Sequence, residues 1–176
     1  LYSAKLVSLS LLNFYTDFVH PLQNLVTNIE YDGNIIDKDK LLALEETYKK
    51  ELAENEKKMY KEVGHEFNIN SPKQLREVLF EGKNKKRKIY PVIKTTKTGA
   101  ESTDSEVLSK LVIRGHKIPG LIHSYRKTAK MINSYIKKIL NNIASDGKYY
   151  DNYGLHRTVT GRLGSYLHTI PAKNEL

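Results

Sequence analysis

The residues in this chain best equipped for chemistry are two arginines near its C-terminal end. Arg157 and Arg162 lie in Leu155-His156-Arg157-Thr158-Val159-Thr160-Gly161-Arg162-Leu163-Gly164-Ser165, among three hydroxyl side chains and two glycines. Gly161 and Gly164 remove Cβ on either side of Arg162, so another backbone or a nucleic-acid strand can come close there. A guanidinium on such a bare surface makes forked hydrogen bonds to phosphate oxygens or base edges. By spacing alone, the same stretch also reads as a hairpin strand with a glycine bulge and a solvated arginine.

A second concentration of cations lies between Gly82 and Ala100: Lys83, Lys85, Lys86, Arg87, Lys88, Lys94 and Lys97, with no acidic residue among them. Such a run is a solvated loop, a nuclear-import signal or a loop that clamps phosphates. Further on, Arg126, Lys130, Asn133 and Lys137 recur in helical steps, as a polar ridge or as an ordinary lysine-rich solvated face. A net charge of +9 over 176 residues points to a polyanionic partner without naming it.

Other chemistries are excluded. The chain has no cysteine, so disulfide, zinc-thiolate and thiol-nucleophile chemistry are absent. His65-Glu66 lacks the second histidine of a His-Glu-x-x-His helix, and His20, His116, His123, His156 and His168 are scattered. Ser165 is not in a Gly-x-Ser-x-Gly elbow. The segment from Lys94 to Thr103 lacks the glycine spacing of a phosphate-binding P-loop. No catalytic site, metal site or cofactor site can be completed from these residues. No apolar run approaches a membrane span, and nothing reads as a signal peptide. The chain opens at Leu1 and stops at Glu175-Leu176, which leads us to expect a piece of a longer protein.

The elements that must carry these groups are mostly helical. Leu6, Leu9, Leu12, Phe14, Phe18, Leu22, Leu25 and Ile29 keep helical spacings, with Pro21 expected to break or kink the helix after His20. Tyr31 to Asn34 is turn chemistry, and Asp37 or Asp39 can cap a long amphipathic helix. Leu41, Leu44, Tyr48, Leu52, Met59 and Val63 form its apolar side, and Gly64 closes it. Ser71 as N-cap and Pro72 at the first position start a short helix buried by Leu75, Val78 and Leu79. Thr103 with Glu106 reads as a capping box for another, buried by Val107, Leu108 and Leu111. Ile118, Ile122, Tyr125, Ala129, Ile132, Ile136, Ile139 and Ile143 predict one more long helix. After the turn at Ser145-Asp146-Gly147, Lys148 to Tyr150 and Leu155 to Leu163 predict a hairpin. The expected fold is mainly α, with long antiparallel helices and a small antiparallel β hairpin near the C-terminus.

Taken in order, these motifs resemble family A DNA polymerases, the bacterial DNA polymerase I type and its phage relatives. Phe67-Asn68-Ile69-Asn70-Ser71-Pro72-Lys73-Gln74-Leu75, then Thr96-Lys97-Thr98-Gly99 and Ser102-Thr103-Asp104, resemble that family's thumb. Tyr125-Arg126, Lys130 and Ser134-Tyr135 resemble its long thumb helix, and Thr160-Gly161-Arg162-Leu163 with Ser165 resembles its first palm motif. The resemblance implies linker helices over 1–36 from an exonuclease-like region, a thumb over 37–145 with a basic tip at 82–103, and the start of the palm over 146–176. It implies phosphate contacts from Asn70, Ser71, Lys94, Lys97, Thr98, Ser102 and Thr103, and contacts along primer–template duplex from Arg126, Lys130 and Ser134. Arg162 would reach the minor groove near the primer terminus, with Arg157 and Thr160 as further DNA contacts. Gly164-Ser165 stands where the family has Ser-Ser. Tyr166 to Pro171 replaces its Pro-Asn-Leu-Gln-Asn-Ile-Pro, with His168 as the nearest stand-in for the lost amides.

The resemblance further implies a parent DNA-directed DNA polymerase that uses magnesium, held by carboxylates outside this segment, so that the segment alone is inactive and carries no cofactor. Its implied partner is primer–template duplex, with no membrane; a processivity factor docking on the basic tip is the alternative. The implied location is a bacterial or host cytoplasm, with an organelle left open.

Overall fold

A computed structural model of the chain describes residues 2–81 and 90–171. The chain divides into two compact units, one of Leu1–Lys40 with Lys138–Leu176 and one of Leu41–Lys137.

The longest helix, α4 (Lys38–Val63), begins where Asp37 Oδ1 accepts the Lys40 amide at 3.0 Å and ends as the Gly64 N–H reaches the Tyr60 carbonyl at 2.8 Å. Both expected caps are in place. Its inward stripe differs in part from the expected one. Tyr48 and Met59 are buried as anticipated, but so are Glu45 and Asn55, while Leu44 stays 37% exposed. Glu45 pairs with Lys49 on its own helix at 3.2 Å, whereas Asn55 and the polar residues beside the stripe find partners on α7 (Lys117–Lys130). Asn55 Nδ2 donates to Ser124 Oγ at 3.3 Å, Thr128 Oγ1 donates to Glu51 Oε1 at 3.2 Å, and Lys117 pairs with Glu62. These pairs fix one antiparallel register for the two rods.

Ser71 caps α5 (Pro72–Arg76) by accepting the Gln74 amide at 3.4 Å, with Pro72 in the first turn. The helix widens into a π-helical turn, Glu77–Glu81, in which Val78, Leu79 and Phe80 are buried. The helix α6 (Ser105–Ile113) packs on α7, and its Val107, Leu108 and Leu111 are fully buried with Leu75, Leu79 and Ile122. Its cap is Asp104, whose Oδ1 accepts the Val107 amide at 2.9 Å; the expected Thr103–Glu106 box does not form. A carboxylate one residue later is the stronger acceptor, and it leaves Glu106 free to pair with lysines. α7 runs on through a second π-helical turn, Met131–Ile136, into α8 (Lys137–Leu140). Ile122, Ile132, Ile136 and Ile139 form the buried seam anticipated from their spacing, joined by Thr128 and Tyr135.

In the other unit, α1 (Tyr2–Ser8) ends at a turn where Ser10 has φ of 56°. Helix then runs from α2 (Leu12–Phe14) through a π-helical turn (Tyr15–Val19) into α3 (His20–Asp32). The expected break after His20 is therefore absent. Pro21 lies in the first turn of α3 directly after the π turn, where the ring's missing N–H and bulk are accommodated. The small antiparallel sheet exists, but its pairing is not the expected hairpin. β1 (Asn34–Ile35) pairs with β2 (Lys148–Tyr149), in the register Asn34 to Tyr149 and Ile35 to Lys148. Residues 155–163 form a loop instead, closed by mutual backbone hydrogen bonds of Gly154 and Gly164 at 2.8 and 3.2 Å.

Candidate nucleic-acid interface

Within the unit Leu41–Lys137, the candidate residues fall into three sets. Asn70 and Ser71 start α5: the Asn70 amide is held by Asn68 Oδ1 at 2.9 Å, and the Asn70 side chain is exposed. Ser71 Oγ is committed to its cap.

The second set is a hairpin turn. Thr95 and Glu101 form an antiparallel bridge, Thr96 N donates to Ala100 O at 2.7 Å, and Gly99 N donates to Thr96 O at 3.0 Å. Lys97 and Thr98 occupy the exposed apex, with Thr98 Oγ1 3.0 Å from Thr96 Oγ1. Lys94 lies at the foot of the turn, paired with Asp104 Oδ2 at 2.9 Å and Glu106 Oε2 at 3.2 Å. Ser102 is buried, its hydroxyl accepting the Asp104 amide at 3.2 Å. The Lys94 ion pair and the Val107 amide hold the Asp104 carboxyl well down, at about 2.

The third set lies on the long helix. Arg126 is half-buried and donates to the Thr103 carbonyl, with its other terminal nitrogen 3.5 Å from Thr103 Oγ1. Burial lowers its guanidinium from the ordinary range, and the nearby Asp104 carboxylate opposes that. Lys130 is exposed, its Nζ 5.8 Å from the centre of the Tyr135 ring. Ser134 lies in the π-helical turn that follows. The structure thus brings Lys94, Ser102, Thr103 and Arg126 together around Asp104, while Lys97 and Thr98 stand out from them on the apex. The basic residues Lys83, Lys85, Lys86, Arg87 and Lys88 lie outside the described residues.

In the other unit, the loop 155–163 presents Thr160 and Arg162 to solvent. Thr158 Oγ1 donates to the Arg162 carbonyl at 2.9 Å, and Gly161 N to the Thr158 carbonyl at 3.2 Å. Gly161 has φ of 70°, a conformation that side chains with Cβ avoid, so the turn that presents Arg162 depends on it. Arg157 points back. It donates to Asn152 Oδ1 and to the Asn152 carbonyl, and its side chain occupies the space that a Cβ on Gly154 would need. From Asn152 to Pro171 the sequence holds no acidic residue.

The sequence reading missed Asp151, which organises this region. Its carboxylate is buried and accepts the amides of Asn152 at 2.9 Å, Tyr166 at 3.2 Å and Leu167 at 2.8 Å. Tyr166 in turn receives the Lys138 ammonium over its ring at 3.7 Å. Asp151 lies far in sequence from two of its three amides, so no local pattern marks it. Among the described residues, no group of three or more His, Asp or Glu side chains is placed to hold a metal, and no helix is long and apolar enough to cross a membrane.

The sequence profile described as DNA polymerase family A matches residues 38–176. The chain is 37% identical over 174 residues to a DNA polymerase I of Caldicellulosiruptor bescii, which covers 96% of this chain and 20% of that relative. It is 37% identical over 169 residues to a DNA polymerase I of Bacillus subtilis, covering 93% of this chain and 18% of the relative. Its fold is similar to that of the POL domain of Pol1 from M. smegmatis, solved in complex with DNA primer-template and dNTP. That match has a TM-score of 0.83 and 26% identity, and covers 98% of this chain and 30% of the other. The chain therefore spans about a fifth of the length of these curated relatives.

Proposed function

The chain belongs to DNA polymerase family A, and from that premise we propose that it holds primer–template duplex for a DNA-directed DNA polymerase that copies DNA during replication. The grip runs through backbone phosphates and the minor groove. In this reading residues 1–36 act as linker helices, 37–145 as a thumb with its basic tip at 82–103, and 146–176 as the start of the palm. The observation that carries this reading is the fold match over nearly the whole chain to a polymerase domain holding primer-template. The side chains agree with it: Lys97, Thr98, Lys130, Thr160 and Arg162 are exposed cations and hydroxyls. Such groups position a duplex through phosphates and through minor-groove acceptors present on every base pair, without reading sequence.

Among the described residues no carboxylate cluster suits magnesium, so no metal-dependent step is derived for them. In this proposal the magnesium-dependent nucleotidyl transfer belongs to other parts of the polymerase. A protein partner docked on the basic tip would rely on Lys83 to Lys88, and no observation favours it over duplex.

The test is fluorescence anisotropy with two labelled duplexes of unrelated sequence across a salt series. We expect both to bind alike, with log affinity falling linearly in log salt and each neutralised phosphate adding about 0.9 to the slope. Affinity that is indifferent to salt, or confined to one duplex, would overturn the proposal.

A further inference from the structure

The tip of the unit Leu41–Lys137 carries a charge arrangement that separates its cations into two kinds. Over residues 90–113, Lys94, Lys97 and Lys110 are balanced by Glu101, Asp104 and Glu106. Lys94 Nζ sits between two carboxylates, 2.9 Å from Asp104 and 3.2 Å from Glu106, and Glu106 also pairs with Lys110 at 2.7 Å. A phosphate brought to Lys94 would gain one attraction and meet two like charges at similar range. The Lys94 carbonyl is occupied too, accepting the Ser102 amide at 2.9 Å. From α7, Arg126 spreads both terminal nitrogens onto Thr103, between Ser102 and Asp104. Lys94 therefore holds both ends of one short segment, Ser102-Thr103-Asp104, through its carbonyl and its ammonium, and Arg126 holds the middle; this segment closes the hairpin and caps α6. Lys97 stands at the exposed apex, and among the described residues its side chain makes no ion pair or hydrogen bond.

We propose that Lys94 and Arg126 are positioning residues that latch the hairpin 94–102 to α6 and α7, and that Lys97, with the Thr96 and Thr98 hydroxyls, is the group that meets a backbone phosphate. This rests on the duplex reading above. It departs from the plainer view in which every tip cation is a phosphate ligand. Exposed ion pairs taken singly are weak. The latch is stronger because its charges hold main-chain groups in place: the Asp104 carboxylate serves the α6 cap and Lys94 together, and the Arg126 fork spans a carbonyl and a hydroxyl that a lysine ammonium cannot span in the same way.

The test uses the full chain with Lys97→Gln, Lys94→Gln and Arg126→Lys, read by the salt slope of duplex affinity and by amide hydrogen exchange at Ser102 and Val107. Lys97→Gln is expected to reduce the salt slope by about 0.9, the share of one phosphate, with exchange unchanged. Lys94→Gln and Arg126→Lys are expected to leave the slope in place and to speed exchange at those amides by about tenfold. A slope reduced by about 0.9 in Lys94→Gln with exchange unchanged overturns the proposal, as does full protection in Arg126→Lys. The exchange measurement needs no DNA. If the unsubstituted chain fails to bind duplex, the duplex reading falls together with the phosphate role of Lys97, and exchange alone decides the latch.

Discussion

Asp151 illustrates how a single buried charge can be kept at small cost. Burial pushes its carboxyl up, yet the amides of Leu167, Asn152 and Tyr166 and the Ser165 hydroxyl together outweigh that and hold it below its ordinary range. A lowered folded-state value means that the contribution to stability is fully present above about pH 4, the range of an unfolded aspartate, and is lost as pH falls below it. Asp151→Asn keeps the shape but turns an amide NH2 toward N–H donors. We expect it to cost roughly 2 kcal/mol at pH 7, as for hydrogen bonds to a charged group. In urea unfolding the gap between the two proteins should narrow as pH falls toward 3; a constant gap would show that the charge is not what matters. The loop's arginines were legible in the sequence, because guanidinium beside glycine is a local signal. That Arg157 folds back onto Asn152 while Arg162 stays exposed was not legible, since it depends on how Gly154 and Gly164 pair.

At the scale of elements, α4 and α7 show what periodicity reveals and what it hides. Apolar spacing, the Asp37 and Ser71 caps and Gly64 place the helices correctly, since each signal acts within a turn of helix. The polar pairs that set the register join residues far apart in sequence, so they read as interruptions of the stripe until both helices are present. The π-helical turns at Tyr15–Val19, Glu77–Glu81 and Met131–Ile136 have no compositional mark of their own. The β1–β2 pairing joins two-residue strands too short to show alternation. Ser124→Ala strands the Asn55 amide in a buried position and should cost about 1–2 kcal/mol, whereas adding Asn55→Leu should recover most of it by removing the unmet donor. A double-mutant cycle in urea checks this, and additive losses would mean that the pair does not set the register.

For the molecule as a whole, the described surface also carries an exposed apolar stripe, whose physics is opposite to that of a cationic one. From α2 through the π-helical turn into α3, Phe14, Phe18 and Leu25 are each more than half exposed and Ile29 is 38% exposed, at spacings that repeat along one side of a helix. Phe14 and Phe18 stack with ring centres 5.4 Å apart, and Val26 is the one buried residue of α3. An apolar stripe of this kind seeks a cover, and in a chain studied by itself the available cover is another copy. The net charge of +9 opposes that association. Raising salt screens the repulsion and should strengthen self-association, while it weakens duplex binding by restoring competition from counterions. We therefore expect sedimentation velocity to show concentration-dependent association that increases from low to high salt. Phe18→Ser with Leu25→Ser should abolish it and leave helix content and duplex affinity unchanged. Association that instead weakens with salt, or that survives both substitutions, would place the contact elsewhere and leave the stripe without a role in it.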